Sequence, residues 1–478
     1  MQFKTNLNVI SWVSSVLIMA FACRAECQTS GRSAVLLERV KFDIIYNGAV
    51  AGSTGADTGT RVTILQEKDG KMLVGLNSLR AWIDKTKLET SGTTAGPTPV
   101  QSIVNRFNYI LGTQTVGGKY HFTDKTALVE TAGIIHNLGA TSVKFEMGPG
   151  YRVNPSFHSL VDFARDEPSV RQVLDMPFAN YQLWISPFGT PSAKKSAPDN
   201  EWQRQQSKIE YREVYDLVTY LLNTYNGSGK TFFLGHWEGD NMLRGGISKE
   251  KDARVTPEAV QKFIAWLTVR QKAVDDAKHD TPHGNVQVWH YTEINHPTIS
   301  LKDNRPSIVN MILPHVPVDF VSYSSYDVTN EPQAEKIKAV LDYIESKLTP
   351  KPGIPGKRVF IGEYGYPTIS GGKAHLTPQE QNERSMITMR AALEWGCPFI
   401  LYWQVYNNEI EEDGRHRGFW LIDEKNVKQP IYETHRLYYV WARKFVTDVA
   451  TQTGKPPSPV EFQNAAAAYL NTAIARRP

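Results

Sequence analysis

Arg358-Val359-Phe360-Ile361-Gly362, then Thr377-Pro378 opening a stretch that runs to Glu394, then Phe399-Ile400-Leu401-Tyr402-Trp403, is the part of the chain that decides the fold. The two flanking runs are apolar, too short for helices and bounded by glycine, proline and polar residues, so they predict buried strands. Between them a hydroxyl stands ahead of a proline, an arrangement that caps a helix and supplies its first turn, and this predicts a helix over 378–394. Strand, helix and strand in that order form the unit from which parallel sheets are built.

Working outward, the same unit recurs. Candidate strands fall at Tyr109–Thr115, Ser142–Met147, Tyr181–Ser186, Thr231–His236, Val286–Tyr291, Val318–Tyr323, Arg358–Gly362 and Phe399–Trp403. Helical stretches lie between them at Asp124–Leu138, Val214–Tyr225, Pro257–Lys278, Glu335–Leu348 and Pro378–Glu394, with a last one at Tyr432–Val446. Leu217, Tyr220, Leu221 and Tyr225 recur at helical steps, as do Val340, Tyr343, Ile344 and Leu348, and Thr256-Pro257 repeats the capping pattern. A series of eight such units with no separate block of strands predicts an α/β fold, a (β/α)8 TIM barrel, over 107–450. An open doubly wound sheet is the competitor. No glycine-rich phosphate turn follows the first strand, so neither that fold nor a dinucleotide cofactor is expected.

Before the barrel, residues 29–106 alternate short apolar runs such as Val62-Thr63-Ile64-Leu65 with Gly, Thr and Pro clusters, which predicts a small β-rich appendage. The stretch from Ser91 to Pro99 reads as a linker, and 451–478 as a C-terminal tail. Residues 1–28 read as an export signal: Lys4, an apolar stretch from Val9 to Ala22, and small residues in Ala20-Phe21-Ala22. A secreted or periplasmic protein is expected. Cys23, directly after Ala22, leaves room for a lipid anchor, and no second stretch is long enough to span a membrane. With Cys23 and Cys27 beside the signal, Cys397 stands alone in the body, so neither a disulfide framework nor a zinc site can be built from cysteine. A formal charge of +4 on 478 residues, with bases and acids interspersed, gives no nucleic-acid footprint.

Barrel enzymes carry their chemistry where strands end and enter the following loops. Here those ends are polar or aromatic: Thr113-Gln114-Thr115, Lys144-Phe145-Glu146, Ser186-Pro187-Phe188, His236-Trp237-Glu238, His290-Tyr291-Thr292-Glu293, Ser322 to Tyr326, Gly362-Glu363-Tyr364-Gly365 and Trp403-Gln404. Glu363 is the sharpest candidate, delivered at the mouth of an apolar strand. Glu238 is the second, with Asp240 close enough that either acid could be a structural turn residue. Two carboxylates facing one pocket suit glycosidic cleavage, one protonating the departing oxygen while the other stabilises or attacks the anomeric carbon. Glu293 is the rival acid: it binds substrate hydroxyls, orients Glu363, donates the proton itself, or merely pairs with a neighbouring base. His236, His290 and Glu293 also read as metal ligands, but no tight ligand spacing supports a metal.

The stretch from about Asn108 to Val446 resembles the clan A retaining glycoside hydrolases, a superfamily of cellulases, mannanases and β-glycosidases. The segment Ile361-Gly362-Glu363-Tyr364-Gly365 is similar to that clan's nucleophile segment, and Phe399-Ile400-Leu401-Tyr402-Trp403 to the strand whose Trp forms the floor under a sugar ring. The resemblance implies Glu363 as nucleophile, Glu238 as acid/base and Trp403 as floor, with Tyr323 or Tyr326 bonded to the nucleophile. It departs at Trp237, where the clan usually has an Asn holding the sugar 2-hydroxyl; Asn241 or His236 takes over that contact, or the 2-position is handled differently. Together with His290 and Glu293 these residues form the expected carbohydrate-binding set. A secreted retaining glycoside hydrolase is the expectation; an inverting or transglycosylating enzyme, or a non-catalytic carbohydrate-binding barrel, are the alternatives.

Overall fold

The computed structural model describes residues 32–36, 40–46, 49–56, 61–68, 70–76, 79–90, 98–149, 157–189, 200–246, 252–329 and 332–475. The export signal with Cys23 and Cys27, and all but the end of the linker, lie outside these residues. The chain divides into two compact units, Met1–Thr98 and Pro99–Pro478. No helix among the described residues is long and apolar enough to cross a membrane.

The first unit is β-rich, as its runs predict. Strands β1 (Arg32–Leu36), β2 (Val40–Tyr46), β3 (Ala49–Ala56), β4 (Arg61–Lys68), β5 (Lys71–Leu76), β6 (Leu79–Asp84) and β7 (Leu88–Thr90) form an antiparallel sheet ordered β6-β5-β4-β1-β7 and a β2–β3 hairpin. Met72 and Val74, two residues apart on β5, bury one face against Leu36, Val62, Ile83 and Leu88.

The second unit is a closed parallel barrel of β8 (Leu111–Thr115), β9 (Ser142–Met147), β10 (Asn180–Ile185), β11 (Thr231–Gly235), β12 (Gln287–Ile294), β13 (Phe320–Ser324), β14 (Val359–Tyr364) and, after a small β15–β16 hairpin (Ile369–Ser370 and Lys373–Ala374), β17 (Ile400–Tyr402). Every expected strand forms, with small shifts of its ends. The capping readings hold as well: Thr256 accepts from Ala259 N–H at 3.2 Å, and Thr377 with Glu380 makes a reciprocal capping box ahead of Pro378–Trp395. Two boundaries differ from the sequence reading. Pro99–Arg106 is helical and belongs with the barrel unit, because Val104 is buried in the main core and its carbonyl accepts from Tyr109 OH at 2.7 Å. Within 451–478, read as a tail, Pro459–Ala475 is a helix whose Phe462 is buried against Phe107 and Trp441, while Trp441 stacks on Tyr469 at 4.7 Å.

Two cores follow from the two-residue period of the strands. Phe232 and Leu234 face the surrounding helices, whereas Phe233 faces the barrel interior with Tyr291, Phe320, Phe360, Phe399 and Leu401. These interior rings meet edge to face, Phe233 lying 5.2 Å from Phe320 and 5.0 Å from Phe399. Glycine makes this density possible: a Cβ on Gly235 would sit 2.2 Å from the Tyr291 ring. The interior is thus a packed apolar plug, and polar side chains gather beyond it, toward the strand ends.

Candidate active site

The same alternation that sends Tyr291 inward sends Glu293 inward two residues later, at the head of the plug. Its carboxylate is fully buried and takes donors from four neighbouring elements: Oε2 accepts from Lys144 Nζ at 2.9 Å, Ser322 Oγ at 2.8 Å and Trp184 Nε1 at 3.1 Å, and Oε1 accepts from Glu238 N–H at 3.2 Å. A buried charge is tolerated only when paired and hydrogen-bonded in this way. With both oxygens taken, Glu293 ties β9, β10 and β13 to the segment after β11; it is a keystone rather than a free acid.

Glu363 arrives by a different route. From Phe360 inward and Ile361 outward, strict alternation would turn Glu363 out. The β13–β14 and β14–β17 ladders are irregular here, and beyond the irregularity Tyr364 packs outward while Glu363 faces in. An extra residue of this kind re-aims a side chain. Gly362 is what lets it fit, since a Cβ there would fall 1.7 Å from Ser322 Oγ. Glu363 is 3% exposed; Oε1 lies 3.3 Å from Lys144 Nζ and Oε2 accepts from Tyr326 OH at 3.1 Å. Lys144 also donates to Gly362 O at 3.1 Å and lies 4.1 Å over the Trp184 ring, so one ammonium serves both carboxylates and the bulge.

Glu238 follows β11 and immediately precedes the short helix Gly239–Arg244. Its Oε2 accepts from Asn241 Nδ2 and, at 3.3 Å, from Asn295 Nδ2. Asp240 plays a separate part. Fully buried, it accepts from the N–H groups of Asn295 at 3.0 Å, His296 at 3.2 Å and Ile308 at 2.8 Å. Asp240 is the structural turn acid, and Glu238 is not engaged in this way.

Burial drives both Glu238 and Glu363 well above the ordinary carboxylate value. Glu238 is pushed up to about 9 by burial, then by the charges of Glu363 and Glu293. Glu363 is pushed up to about 8 by burial, against which Lys144 and the Tyr326 hydroxyl pull it back toward ionisation. The ammonium and the phenol favour the ionised form of Glu363, whereas the donors to Glu238 are neutral amides.

Beside this cluster opens a cleft of about 670 Å³, a size typical of ligand sites. Trp184 and Trp403, ring centroids 6.0 Å apart, form part of its wall with Trp266, Glu146 and Trp237, the last 39% exposed. Trp403 Nε1 donates to Glu409 at 3.1 Å, which fixes its ring.

The sequence-predicted residues thus separate. Glu238, Glu363, Glu293, Asn241 and Tyr326 are brought together, and Trp237 and Trp403 line the cleft. Tyr323 is excluded: it faces outward and donates to Asp327. His290, one residue out of phase with Tyr291 and Glu293, also points outward, its Nδ1 3.1 Å from Gln271 Oε1, so it is withdrawn from the binding set. His236 borders the cleft, but Nδ1 donates to Trp237 O at 2.9 Å and Nε2 accepts from Thr292 Oγ1 at 2.8 Å. Burial holds it neutral, down to about 3, and its work is to fix the Trp237 backbone. Sequence reasoning missed Lys144, Trp184 and Asn295. Lys144 carried a signal, since a cation between Val143 and Phe145 in a buried strand must have an anionic partner.

No family model and no curated protein matches the chain. Among solved structures, the chain is similar to a GH5_18 protein from Streptomyces cattleya crystallised with Manb1-4GlcNAc (13% identity over 76% of this chain and 90% of that one, TM-score 0.48). It is also similar to a GH5_18 protein from Bifidobacterium longum subsp. longum (14%, 74% and 81%, TM-score 0.48) and to a family 39 glycoside hydrolase from Bacteroides cellulosilyticus (11%, 85% and 80%, TM-score 0.44).

Proposed function

We propose that this chain is an exported glycoside hydrolase acting by a retaining double displacement. The observation that carries the reading is the pairing, in one buried cluster beside an aromatic cleft, of a carboxylate held by an ammonium and a phenol with a carboxyl held only by amides. Such a pair divides the labour of nucleophile and acid. The Glu363 carboxylate attacks the anomeric carbon and the glycosidic C–O bond breaks as Glu238 gives its proton to the leaving oxygen. A glycosyl ester on Glu363 results. Glu238, now ionised, then takes a proton from water, the water oxygen attacks the same carbon, and the ester bond breaks to return Glu363.

Lys144 and Tyr326 hold Glu363 in line and favour its ionised form before attack, and Glu293 fixes Lys144. Trp184 and Trp403 offer faces for the apolar side of a sugar ring. Export is supported by Lys4 and the apolar stretch from Val9 to Ala22. The test is a panel of aryl glycosides and polysaccharides, with NMR of the first-formed product on any substrate cleaved. Retained anomeric configuration, lost in Glu363→Gln, is the expected result. Inverted product overturns the double displacement, and a folded wild type that binds glycans but cleaves none overturns the hydrolase.

A further inference from the structure

The cleft holds a carboxylate that the chemistry above does not use. On β9, Lys144 and Glu146 lie two residues apart and so share the inner face. Lys144 is consumed by Glu293, Glu363 and Gly362 O. Glu146, one step nearer the mouth, lines the cleft and has no hydrogen-bond or ionic partner among the described residues. It is half-buried, and burial alone raises its pKa. In the β9–β10 ladder it stands directly opposite Trp184. A carboxylate and an indole from neighbouring strands thus line the same space.

The other ionisable groups around the cleft give it a sign. Among the described residues lining it there is no Lys and no Arg. Glu210 lies 3.0 Å from Arg270 Nε, and that guanidinium, fully buried, also donates to Ile185 O at 2.9 Å. His236 is neutral. Among the described residues lining the cleft no cation faces an anionic substituent, and an ionised carboxylate can only accept hydrogen bonds.

Resting on the glycosidase reading, we infer that Glu146 is a specificity-determining residue: its carboxylate accepts hydrogen bonds from hydroxyls of a sugar seated against Trp184 and excludes glycans carrying carboxylate there. The substrate class is a neutral glycan with free hydroxyls, and hexuronic acids are rejected by like charge.

The experiment compares p-nitrophenyl glycosides of neutral hexoses with those of the corresponding hexuronic acids, on wild type and Glu146→Gln, an isosteric change whose folding is checked by thermal melting. Wild type is expected to favour the neutral sugar in kcat/KM. In the variant, KM for the neutral sugar should rise about tenfold, the effect of weakening a hydrogen bond to a charged group, with kcat little changed. The neutral-over-uronic preference should shrink by a similar factor. A wild-type preference for the hexuronide, or a preference unchanged by Glu146→Gln, overturns the inference while leaving the hydrolase reading intact. If folded wild type turns over nothing, that reading fails by itself. Calorimetry with neutral oligosaccharides and oligouronates then decides the selectivity, and equal binding or none overturns it.

Discussion

Glu363 and Glu238 reach the same cluster from opposite kinds of structure. Glu363 lies within a hydrogen-bonded strand, aimed by a bulge, clamped by a buried ammonium and a phenol, and almost sealed from solvent. Glu238 lies past the end of its strand, at the start of a one-turn helix, and is held by two neutral amides, one from that helix and one from beyond β12. The difference suits the two roles proposed for them. A nucleophile must be ionised and positioned against one atom, which favours charge partners and a rigid support. An acid that becomes a base must release and regain a proton, which favours a high pKa and donors without charge. The deepest cut through this comparison is chemical. Glu363→Gln should lower kcat by about 10⁴-fold or more on every substrate, as loss of a nucleophile does. Glu238→Gln should cost about 10²–10⁴-fold where the leaving group needs a proton, and far less with an activated phenol. Equal loss on both leaving groups would break the division of roles.

Lys144 tests the clamp itself. Removing one partner of a buried ion pair costs about 3–5 kcal/mol, so Lys144→Met should melt at markedly lower temperature. In the fraction of variant that remains folded, the sign for activity follows from the cation's effect. Lys144 stabilises the ionised form of Glu363, so without it that pKa rises and the acid limb of the pH profile moves to higher pH. Glu238, which Lys144 also lowers, follows less steeply because it does not touch the ammonium. An acid limb that stays in place would show that the ammonium does not set the nucleophile's charge.

Smaller, and sharper in what it separates, is the tyrosine pair that the sequence left open. Tyr326→Phe removes one hydrogen bond to the Glu363 carboxylate, worth about 1.5–3 kcal/mol, and should reduce kcat by about 10- to 100-fold. Tyr323→Phe removes an outward bond to Asp327 and should leave kcat unchanged. Steady-state kinetics on the two variants decides it, and equal effects would contradict the geometry.

Much of the barrel was legible because its signals are local. Strands such as Thr231–Gly235 and Val359–Tyr364 are largely apolar runs of the right length, and Thr377-Pro378 states a helix start outright. Glu363 was found at a strand mouth, although its inward aim depends on a bulge that no alternation reveals and that the Gly362–Ser322 approach alone explains. His290 was misplaced by ignoring the two-residue period that Tyr291 and Glu293 already set. Lys144, Trp184 and Asn295 stayed hidden for a different reason. Each matters through a partner on another strand or loop, 109 residues apart in the case of Trp184 and Glu293, and one sequence does not state cross-barrel neighbours. The segment 451–478 looked like a tail because its apolar face, with Phe462 and Leu470, becomes meaningful only against Phe107 and Trp441.

The amides on Glu238 give the smallest effect and the finest test of the comparison. Asn241 Nδ2 donates to Glu238 Oε2, and its own Oδ1 lies 3.2 Å from His296 Nε2, so the amide is oriented by a second residue. A donor of this kind stabilises the ionised carboxylate. In Asn241→Ala that support is lost, the Glu238 pKa rises further, and the alkaline limb of the pH profile moves up while the acid limb, set by Glu363, stays. Because Asn295 still donates from the other side, the expected change in kcat is under about tenfold, one neutral bond among two. Movement of the acid limb alone would mean that Asn241 acts on the nucleophile. Movement of neither limb would mean that the amides only place the carboxyl group and that burial and the neighbouring carboxylates set its charge. The acid would then share the nucleophile's dependence on a fixed scaffold, and the contrast between the two would narrow to the charge of their partners.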